Sequence, residues 1–268
     1  MPWTPEFKVD EAARTVSLVP EDGANIASSS ANAIYRLMKA ARDAQTFPHL
    51  SNWPGEKLKV LGTSFPFAID RALAPYFGVI SRGSHLNAFV RGKEGSIAGV
   101  WIAKRGPNKP MFAGMLDNAA AGSVSHDETP TQCIKREAQE ELGLDARRAV
   151  SAGTISWFNI KRAKPGINAG LVEPGIQYVY DLEVPSDVVL RPAEAEIDWL
   201  RLLSVEEVMR ALRNHEFKPS CASVMIDFFV RHGIVNAESD REFEEIVLRL
   251  HRKVPVPVTE HNQGAHLN

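Results

Sequence analysis

The sequence predicts a protein of the α/β (α+β) class, a sandwich in which helices pack on a sheet. Two observations predict this class. Short apolar stretches bounded by turn-forming residues indicate strands, and longer segments with apolar residues at three- and four-residue steps indicate helices. The two kinds of segment interleave along the chain, which favours layers of helices against a sheet.

The composition is that of an ordinary soluble globular chain. The 268 residues are 44% hydrophobic and 24% charged, and 31 lysines and arginines nearly balance 33 aspartates and glutamates. This balance gives no sign of a nucleic-acid partner. Two cysteines favour a reducing compartment, and the apolar runs are too short to span a bilayer. We therefore expect a cytoplasmic protein without a membrane or nucleic-acid partner.

The chain up to about Gly83 contains a short strand-like stretch, "RTVSLVP", and a helical segment, "SSSANAIYRLMKAARDAQ". Ser30 or a neighbouring serine is the expected N-cap of this helix. Its predicted apolar stripe consists of Ile34, Leu37, Met38 and Ala41. After a Pro/Trp/Gly-rich connector, "PFAIDRALAPYFG" is predicted as a second short helix that breaks near Pro75.

The pattern changes from His85 onward. "LNAFVR" and "IAGVWIAKR" indicate strands joined by the turn "GKEG". Further strands are predicted at "VSAGTISWFNI", "IQYVYDLEV" and "IDWLRLL", with a Pro/Gly-rich loop, "KRAKPGINAGLVEPG", between the first two. Three helices are predicted next, at "SVEEVMRALRN", "SCASVMIDFFVRHG" and "DREFEEIVLRLHRK". Residues 254–268 lack periodicity and are predicted to be a flexible tail.

Residues 122–144, "GSVSHDETPTQCIKREAQEELGL", predict a loop followed by a helix over residues 130–142. Thr129 is the expected N-cap, with Pro130 at the first helical position and Gln132 completing a capping box. Gly143 is the expected C′ residue. The predicted buried stripe consists of Ile134, Ala138 and Leu142.

Three glutamates crowd one face beside this stripe: Glu137, Glu140 and Glu141. Two interpretations are open. The face could be solvated, with Arg136 pairing with Glu140 one turn away. Alternatively, divalent cations could relieve the repulsion, because hard oxygen ligands on one rigid face suit Mg²⁺.

The spacing of these residues is specific. Residues 122–144 resemble the Nudix box, Gly-x5-Glu-x7-Arg-Glu-U-x-Glu-Glu-x-Gly-U, where U is apolar. All seven fixed residues are present, and Ala138 and Leu144 fill the two apolar positions. The resemblance implies a Nudix hydrolase, an α/β/α sandwich with a mixed sheet. In that family a loop–helix–loop holds Mg²⁺, or Mn²⁺ in its place, against a small-molecule diphosphate.

The resemblance also implies roles for the charged residues of the box. Glu140 and Glu141 would be the main metal ligands. Glu137 would be a further ligand or would activate water, held in position by Arg136. Glu128 would brace the site or bind the metal through water.

The two glycines of the box have structural roles in the family. Gly122 would allow a tight turn and a close approach to the metal, and Gly143 ends the helix. One position differs from many family members, which have a glycine where this chain has Asp127. If the backbone there needs a positive φ, Asp is among the better substitutes. His126 could be an extra ligand or an ordinary exposed loop residue.

Some Nudix enzymes carry the general base outside the box. Glu173, in "LVEPG", and Glu196, just before "IDWLRL", are the candidates for an additional base or metal ligand. For each, an ordinary surface glutamate is the alternative. Strand aromatics could stack on a substrate ring or belong to the core, and no substrate-binding residue is assigned: these are Trp157, Phe158, Tyr178 and Tyr180.

Four other segments resemble the Nudix proteins related to, and in some fungi fused with, thiamin pyrophosphokinase: "FGVISRGSHLNAFV", "MFAGMLDNAAAG", "IQYVYDLEVP" and "FKPSCASVMIDFFVRHGI". This resemblance implies a small N-terminal accessory α+β domain over residues 1–84 and a Nudix domain over residues 85–253. It also implies hydrolysis of thiamin diphosphate, or of its oxo and oxy analogues, to the monophosphate and phosphate.

Other functions remain open. A Nudix pyrophosphatase could act on ADP-ribose, a dinucleotide, coenzyme A or an oxidised nucleotide, and a non-catalytic protein could bind a diphosphate for regulation. An isomerase of the same fold, as in isopentenyl diphosphate isomerases, would need a catalytic cysteine near a glutamate. We expect Cys133 to be a small packing residue and Cys221 to be a core residue.

The N-terminal domain could cover the substrate pocket, mediate a homodimer or stabilise the fold. His85 and Asn87, at the presumed junction, could face the substrate or make structural hydrogen bonds.

Overall fold

The computed structural model describes residues 1–19, 25–47, 50, 53, 55–162 and 169–260. Its first part contains β1 (Phe7–Asp10), β2 (Thr15–Leu18), α1 (Ile26–Asp43), β3 (Lys57–Lys59), β4 (Ala68–Asp70) and α2 (Ala74–Phe77). The later part contains β5 (Ser81–Arg91), β6 (Ile97–Arg105), β7 (Leu116–Asp117), β8 (Ala120–Ser123), α3 (Pro130–Leu142), β9 (Val150–Ile160), β10 (Val172–Glu183), β11 (Ile197–Leu203), α4 (Val205–Arg213), α5 (Pro219–Arg231) and α6 (Phe243–Leu250).

The later strands form one seven-stranded sheet in the order β11-β6-β5-β10-β9, with β7 beside β6 and β8 beside β5. The β10–β5 pair is parallel and the other pairs are antiparallel, so the sheet is mixed. Because successive side chains of a strand point to opposite faces, β5 contributes to two cores. Leu86, Ala88 and Val90 pack with α3 on one face, whereas Phe89 packs with α4 and α5 on the other. The predicted α/β/α sandwich is confirmed.

The first part of the chain has its own apolar cluster. It includes Met38 of α1, Leu58 of β3 and Ile69 of β4. The predicted boundary between residues 84 and 85 falls inside β5, because that strand begins at Ser81, opposite Gly175 of β10. The division into two domains stays a prediction, and the first strand of the large sheet starts a few residues earlier than expected.

Two local predictions in the first part are wrong. Asn25, not Ser30, is the N-cap of α1, because the Asn25 side chain accepts a hydrogen bond from the Ser28 N–H at 3.1 Å. Ser30 lies buried within the helix, on the same side as the predicted apolar stripe. Pro75 does not break a helix; it lies in the first turn of α2, where its missing N–H costs no hydrogen bond.

Parts of two segments expected to be irregular are ordered. Strand β10 already begins at Val172, and Pro174 pairs opposite Phe158 of β9; residues 163–168 of the same predicted loop lie outside the described residues. The predicted tail from residue 254 is not free over its first part. Val254 is buried with Leu61 and Ile80, and the Glu260 carboxylate lies 2.5 Å from the Lys59 ammonium. Residues 261–268 are not described.

No helix among the described residues is long and apolar enough to cross a membrane.

Candidate active site

Helix α3 begins and ends at the predicted residues. The Thr129 hydroxyl accepts from the Gln132 N–H at 3.2 Å, and the Gln132 side chain accepts from the Thr129 N–H at 2.8 Å, which completes the capping box. Pro130 occupies the first turn, and Gly143 ends the helix with a left-handed φ of 61°. These two ends fix the positions of the three glutamates within the helix.

The buried side of α3 determines which way its glutamates point. Ile134, Ala138 and Leu142 are buried against the sheet as predicted. Cys133 is also fully buried, and its thiol donates to the Ser123 carbonyl at 3.3 Å. Because these positions face the core, Glu137 and Glu141 lie beside β8 and Glu140 faces solvent.

Arg136 pairs with three of the four glutamates of the box. Its guanidinium donates to both oxygens of Glu128, at 2.9 and 3.2 Å, to Glu137 at 2.7 Å and to Glu140 at 2.9 Å. The Arg136–Glu140 pair of the solvated-face interpretation is therefore present. One guanidinium cannot balance its three carboxylate partners, so the site keeps an attraction for a further cation.

Gly122 makes room for Glu137. It lies in β8, opposite Ser84 of β5, and its backbone does not have the positive φ of a glycine turn. A Cβ atom at this position would lie 2.0 Å from Glu137 Oε1 and 2.4 Å from Glu137 Cγ. The tight turn implied for Gly122 is thus wrong. The close approach to a metal stays a prediction, and the space left by the missing side chain is occupied by the Glu137 carboxylate.

Glu128 is held as an ionised brace. It accepts from the Ser125 N–H at 3.0 Å in addition to the two bonds from Arg136. Burial acts to raise its pKa, but the hydrogen bonds from Arg136 and Ser125 outweigh burial and the pKa is lowered. A carboxylate held so firmly ties the loop that precedes α3 to the helix.

Two other carboxylates lie where their charge is poorly solvated. Burial raises the pKa of Glu137, with partial compensation from Arg136. Burial raises the pKa of Glu141 to about 8, although this side chain accepts from the Ala121 N–H at 3.0 Å. A bound divalent cation would stabilise the ionised form of both groups.

His126 and Asp127, in the loop of the box before α3, are exposed. Asp127 does not have a positive φ, so the difference from glycine needs no unusual backbone at this site. The His126 ring lies 3.6 Å from the Asp127 carboxylate, and its backbone N–H donates to the Lys57 carbonyl at 3.0 Å. His126 therefore matches the exposed-loop alternative.

The structure separates the two candidate bases. Glu173 pairs with Lys161 at 3.0 Å near the start of β10. Tyr178 of β10 is paired with Ser84 of β5, which is paired with Gly122 of β8, so Tyr178 lies level with Gly122 across the sheet. Glu173 lies five residues before Tyr178, which places it roughly 16 Å from that level along the strand direction. Glu196 contacts Lys109, and the loop before it is tied to the box because the Ala193 N–H donates to the Glu141 carbonyl at 2.8 Å. Glu196 thus borders the site and Glu173 does not.

The strand aromatics belong to the packing of the sheet. Tyr180 is buried, with its hydroxyl 3.0 Å from Thr131 Oγ1, and Tyr178 packs on the same core. Trp157 lies over Gly175, and Phe158 packs against Ile80 and Leu61.

A buried polar cluster behind β8 was missed by sequence reasoning. It joins His85, Asp117 and Cys221: the Cys221 thiol donates to Asp117 at 2.7 Å and lies 3.9 Å from His85 Nδ1. His85 and Asn87 make structural hydrogen bonds with Asn118, at 2.9 and 3.1 Å. Cys221 is buried as predicted, but its partner is a carboxylate.

These three side chains are close enough to hold a metal ion, yet their partners argue against one. The Asp117 carboxylate already pairs with the Arg105 guanidinium at 2.9 Å and lies 4.0 Å from the Lys218 ammonium. Burial raises the pKa of Cys221, which keeps the thiol protonated. A divalent cation would add a further positive charge to this group.

His85 should make stability depend on pH. Burial and the Lys218 charge lower its pKa from 6.5 to about 4, so below pH 6.5 the unfolded chain binds a proton that the folded chain does not. Stability should therefore fall as the pH falls from 6.5 to 4, by about 3 kcal/mol from this residue. Urea unfolding of wild type and His85→Gln at several pH values measures it. The variant should have the flatter dependence, and parallel curves would contradict the assignment.

A comparison with known protein families agrees with the arrangement of the box residues. A model described as the NUDIX domain matches residues 82–223. The chain belongs to the Nudix family. The predicted fold and the predicted class, that of hydrolases acting on diphosphates, are confirmed at this level.

The chain is also similar to individual known proteins. An uncharacterized protein of Saccharomyces cerevisiae is 29% identical over 260 residues, covering 94% of this chain and 75% of its own length. Nudix hydrolase 24, chloroplastic, of Arabidopsis thaliana is 35% identical over 177 residues, covering 65% and 46%. This Nudix chain thus spans about half the length of its Arabidopsis relative. An isopentenyl-diphosphate Delta-isomerase of Corynebacterium diphtheriae is 27% identical over 131 residues, covering 49% and 68%.

Proposed function

We propose that the chain is a Mg²⁺-dependent Nudix hydrolase that cleaves an organic diphosphate. The observation that carries this proposal is the intact, pre-assembled box: Glu137 packed on Gly122, Glu141 fixed by the Ala121 N–H, and Arg136 gathering the other carboxylates. Such an arrangement keeps buried negative charge in place at a cost to stability, which favours a site that binds cations.

The residues present fit Mg²⁺. Glu137, Glu140 and Glu141 would hold it, with Glu128 as a brace or as a ligand through water, and all offer the hard oxygen atoms that this ion prefers. When bound, the ion would neutralise the charge of the diphosphate and lower the pKa of water. Mn²⁺ has the same ligand preferences and is expected to substitute.

The chain's own side chains have defined parts in the reaction. Arg136 donates to Glu137 Oε1, which orients this carboxylate and leaves Oε2 to accept the proton of the attacking water. Gly122 allows this carboxylate to lie directly on β8. Glu196 is a second candidate for the base because it borders the site, although its side chain is 62% exposed.

The narrower proposal is that the substrate is thiamin diphosphate, or an oxo or oxy analogue, and that the products are the monophosphate and phosphate. It is supported by the four segments that resemble the Nudix proteins related to thiamin pyrophosphokinase. By the same resemblance, residues 1–84 of this chain would be the accessory domain. A cytoplasmic location is proposed from the low cysteine content alone.

An isomerase function is disfavoured by the cysteines. Cys133 is buried in α3, and burial raises the pKa of its thiol. Cys221 is buried and donates to Asp117. A purely regulatory binding protein is disfavoured because a non-catalytic chain can lose box residues without cost. Here the full set is present: Glu137, Glu140, Glu141 and Arg136.

A hydrolysis panel tests the proposal. Purified protein is incubated with Mg²⁺ and thiamin diphosphate, its oxo and oxy analogues, ADP-ribose, NADH and coenzyme A, and the phosphomonoester products are separated by chromatography. Free phosphate is measured only for the thiamin compounds, because cleavage of the other three gives two phosphomonoesters. Hydrolysis should be fastest for a thiamin compound, should stop with EDTA and should return with excess Mg²⁺. Much faster turnover of ADP-ribose or coenzyme A would overturn the thiamin assignment, and hydrolysis that survives EDTA would overturn the metal dependence.

A further inference from the structure

Three cationic side chains converge beside the C-terminal half of α3. Arg105, at the end of β6, donates to Asp117 Oδ2 at 2.9 Å, and the Lys218 ammonium lies 4.0 Å from the same oxygen. Lys218 and Lys109 both interact electrostatically with the Glu141 carboxylate. These cations therefore form one wall of the candidate active site.

The loop that carries Lys109, residues 106–115, is fastened to this wall at several points. The Arg105 guanidinium donates to the Met111 carbonyl at 3.0 and 3.3 Å. The Gly106 N–H donates to the Glu196 carbonyl at 2.8 Å, and the Lys109 ammonium contacts the Glu196 carboxylate. Since Arg105 also binds Asp117, the loop is positioned by the same residues that position the wall.

The carboxylates of the wall are shared between its cations. Asp117 accepts hydrogen bonds from Arg105, from the Cys221 thiol and from the Asn118 N–H, and Lys218 lies 4.0 Å from the same carboxylate. Lys109 pairs with Glu196, and both lysines also interact electrostatically with Glu141, the carboxylate that the proposed function gives to Mg²⁺. The two lysine side chains are 19% and 25% exposed, so they are largely withdrawn from water but accessible to a ligand. An anion beside Glu141 would be a further charged partner for both ammonium groups.

The same loop exposes two large apolar side chains. Met111 and Phe112 are 47% and 39% exposed. Phe112 also has a positive φ of 56°, a strained conformation for a residue with a side chain. Strained backbone of this kind persists where the surrounding structure fixes it, often at ligand sites. Here the fixed loop turns an aromatic ring to the outside next to a cationic wall.

We propose that residues 106–115 are a substrate-recognition loop, in which Lys109, together with Lys218, binds a phosphate of the diphosphate and Phe112, with Met111, covers the organic group. This inference rests on the proposed function and names the residues that select its substrate class. The ligand it fits is a diphosphate ester with a flat or apolar organic group.

Lys109→Gln tests the phosphate contact. Binding of methylene diphosphonate with Mg²⁺, measured by calorimetry, should weaken by about 10- to 100-fold because a charge-assisted contact is lost. KM for the best diphosphate substrate should rise by a similar factor, with a smaller change in kcat. Lys109→Arg should retain most of the binding because the charge remains. Lys93→Gln, in the exposed turn between β5 and β6, is the matched control and should bind as wild type.

Phe112→Ala tests the organic-group contact. Methylene diphosphonate has no organic ring, so its binding should not change, whereas KM for the organic diphosphate should rise by about 3- to 10-fold. Leu248→Ala, at a 68% exposed position of α6, is the apolar control and should leave both constants unchanged.

The binding and kinetic measurements separate two kinds of failure. If wild type and Lys109→Gln bind the diphosphonate equally, or if wild type does not bind it, the recognition loop is overturned. Equal weakening of both ligands by Phe112→Ala would overturn the organic-group contact. If no compound is hydrolysed but Lys109→Gln still weakens diphosphonate binding, the proposed hydrolysis fails while the recognition loop stands.

Discussion

Replacement of Glu137 by glutamine should lower kcat for phosphate release by about 100- to 10,000-fold. The amide keeps the size of the side chain and removes the negative charge and the proton acceptor. Arg136 would lose one of its three carboxylate partners, and it would keep Glu128 and Glu140. Kinetics with saturating Mg²⁺ and the best substrate of the panel measure the effect.

The fold should tolerate Glu137→Gln. Burial raises the pKa of Glu137, so the neutral amide removes an unfavourable buried charge while it loses one ion pair. We expect the free energy of unfolding to change by less than about 1 kcal/mol. Glu94→Gln, the same substitution in the exposed turn after β5, is the control and should have wild-type kinetics. Wild-type kcat in Glu137→Gln would show that the role implied for Glu137 by the Nudix box is wrong.

Gly122→Ala should inactivate the protein although it replaces no charged residue. The added Cβ would lie 2.0 Å from Glu137 Oε1 and 2.1 Å from its Cδ, closer than such atoms approach in folded proteins. Either the Glu137 carboxylate leaves β8 and its bond from Arg136, or β8 shifts away from β5. Both changes misplace the carboxylate, so kcat should fall by at least about 100-fold.

The same variant should also lose stability. Overpacking of this kind costs about 1–3 kcal/mol, which chemical unfolding can measure. Gly92→Ala is a matched control because its added Cβ would meet no atom closer than 3.6 Å. It should keep wild-type activity and stability. If Gly122→Ala retains wild-type kcat, the close packing of Glu137 on β8 is not needed for catalysis.

Helix α3 could be predicted in detail because its signals are local. Thr129, Pro130, Gln132 and Gly143 are adjacent to the helix ends that they determine, and a 3.6-residue period identifies the buried side. The start of α1 was not predicted because several polar residues compete as caps. The Asn25 side chain caps the helix by accepting a hydrogen bond from the Ser28 N–H. The serines that follow could make an equivalent bond, so the sequence alone does not identify the cap.

Other parts depend on contacts between distant residues. Strands β7 and β8, in "MLDNAAAGS", have no strand-like alternation and exist because they pair with β6 and β5. Lys218 and Asp117 are about a hundred residues apart and meet only in the folded chain. The sequence implied only that Gly122 allows a close approach to the metal. That Glu137 packs directly on Gly122 follows from the packing of α3 on β8 and could not be predicted.

The central claim is that the box carboxylates hold a divalent cation against a diphosphate. A crystal structure of the protein with Mn²⁺ and methylene diphosphonate, located by anomalous scattering, tests it most directly. The claim predicts a metal peak bonded to oxygens of Glu140 and Glu141, with Glu137 at the same centre and the diphosphonate beside it. A diphosphonate bound elsewhere, or a metal-free site in which Arg136 still pairs with Glu137 and Glu140 at saturating Mn²⁺, would contradict it.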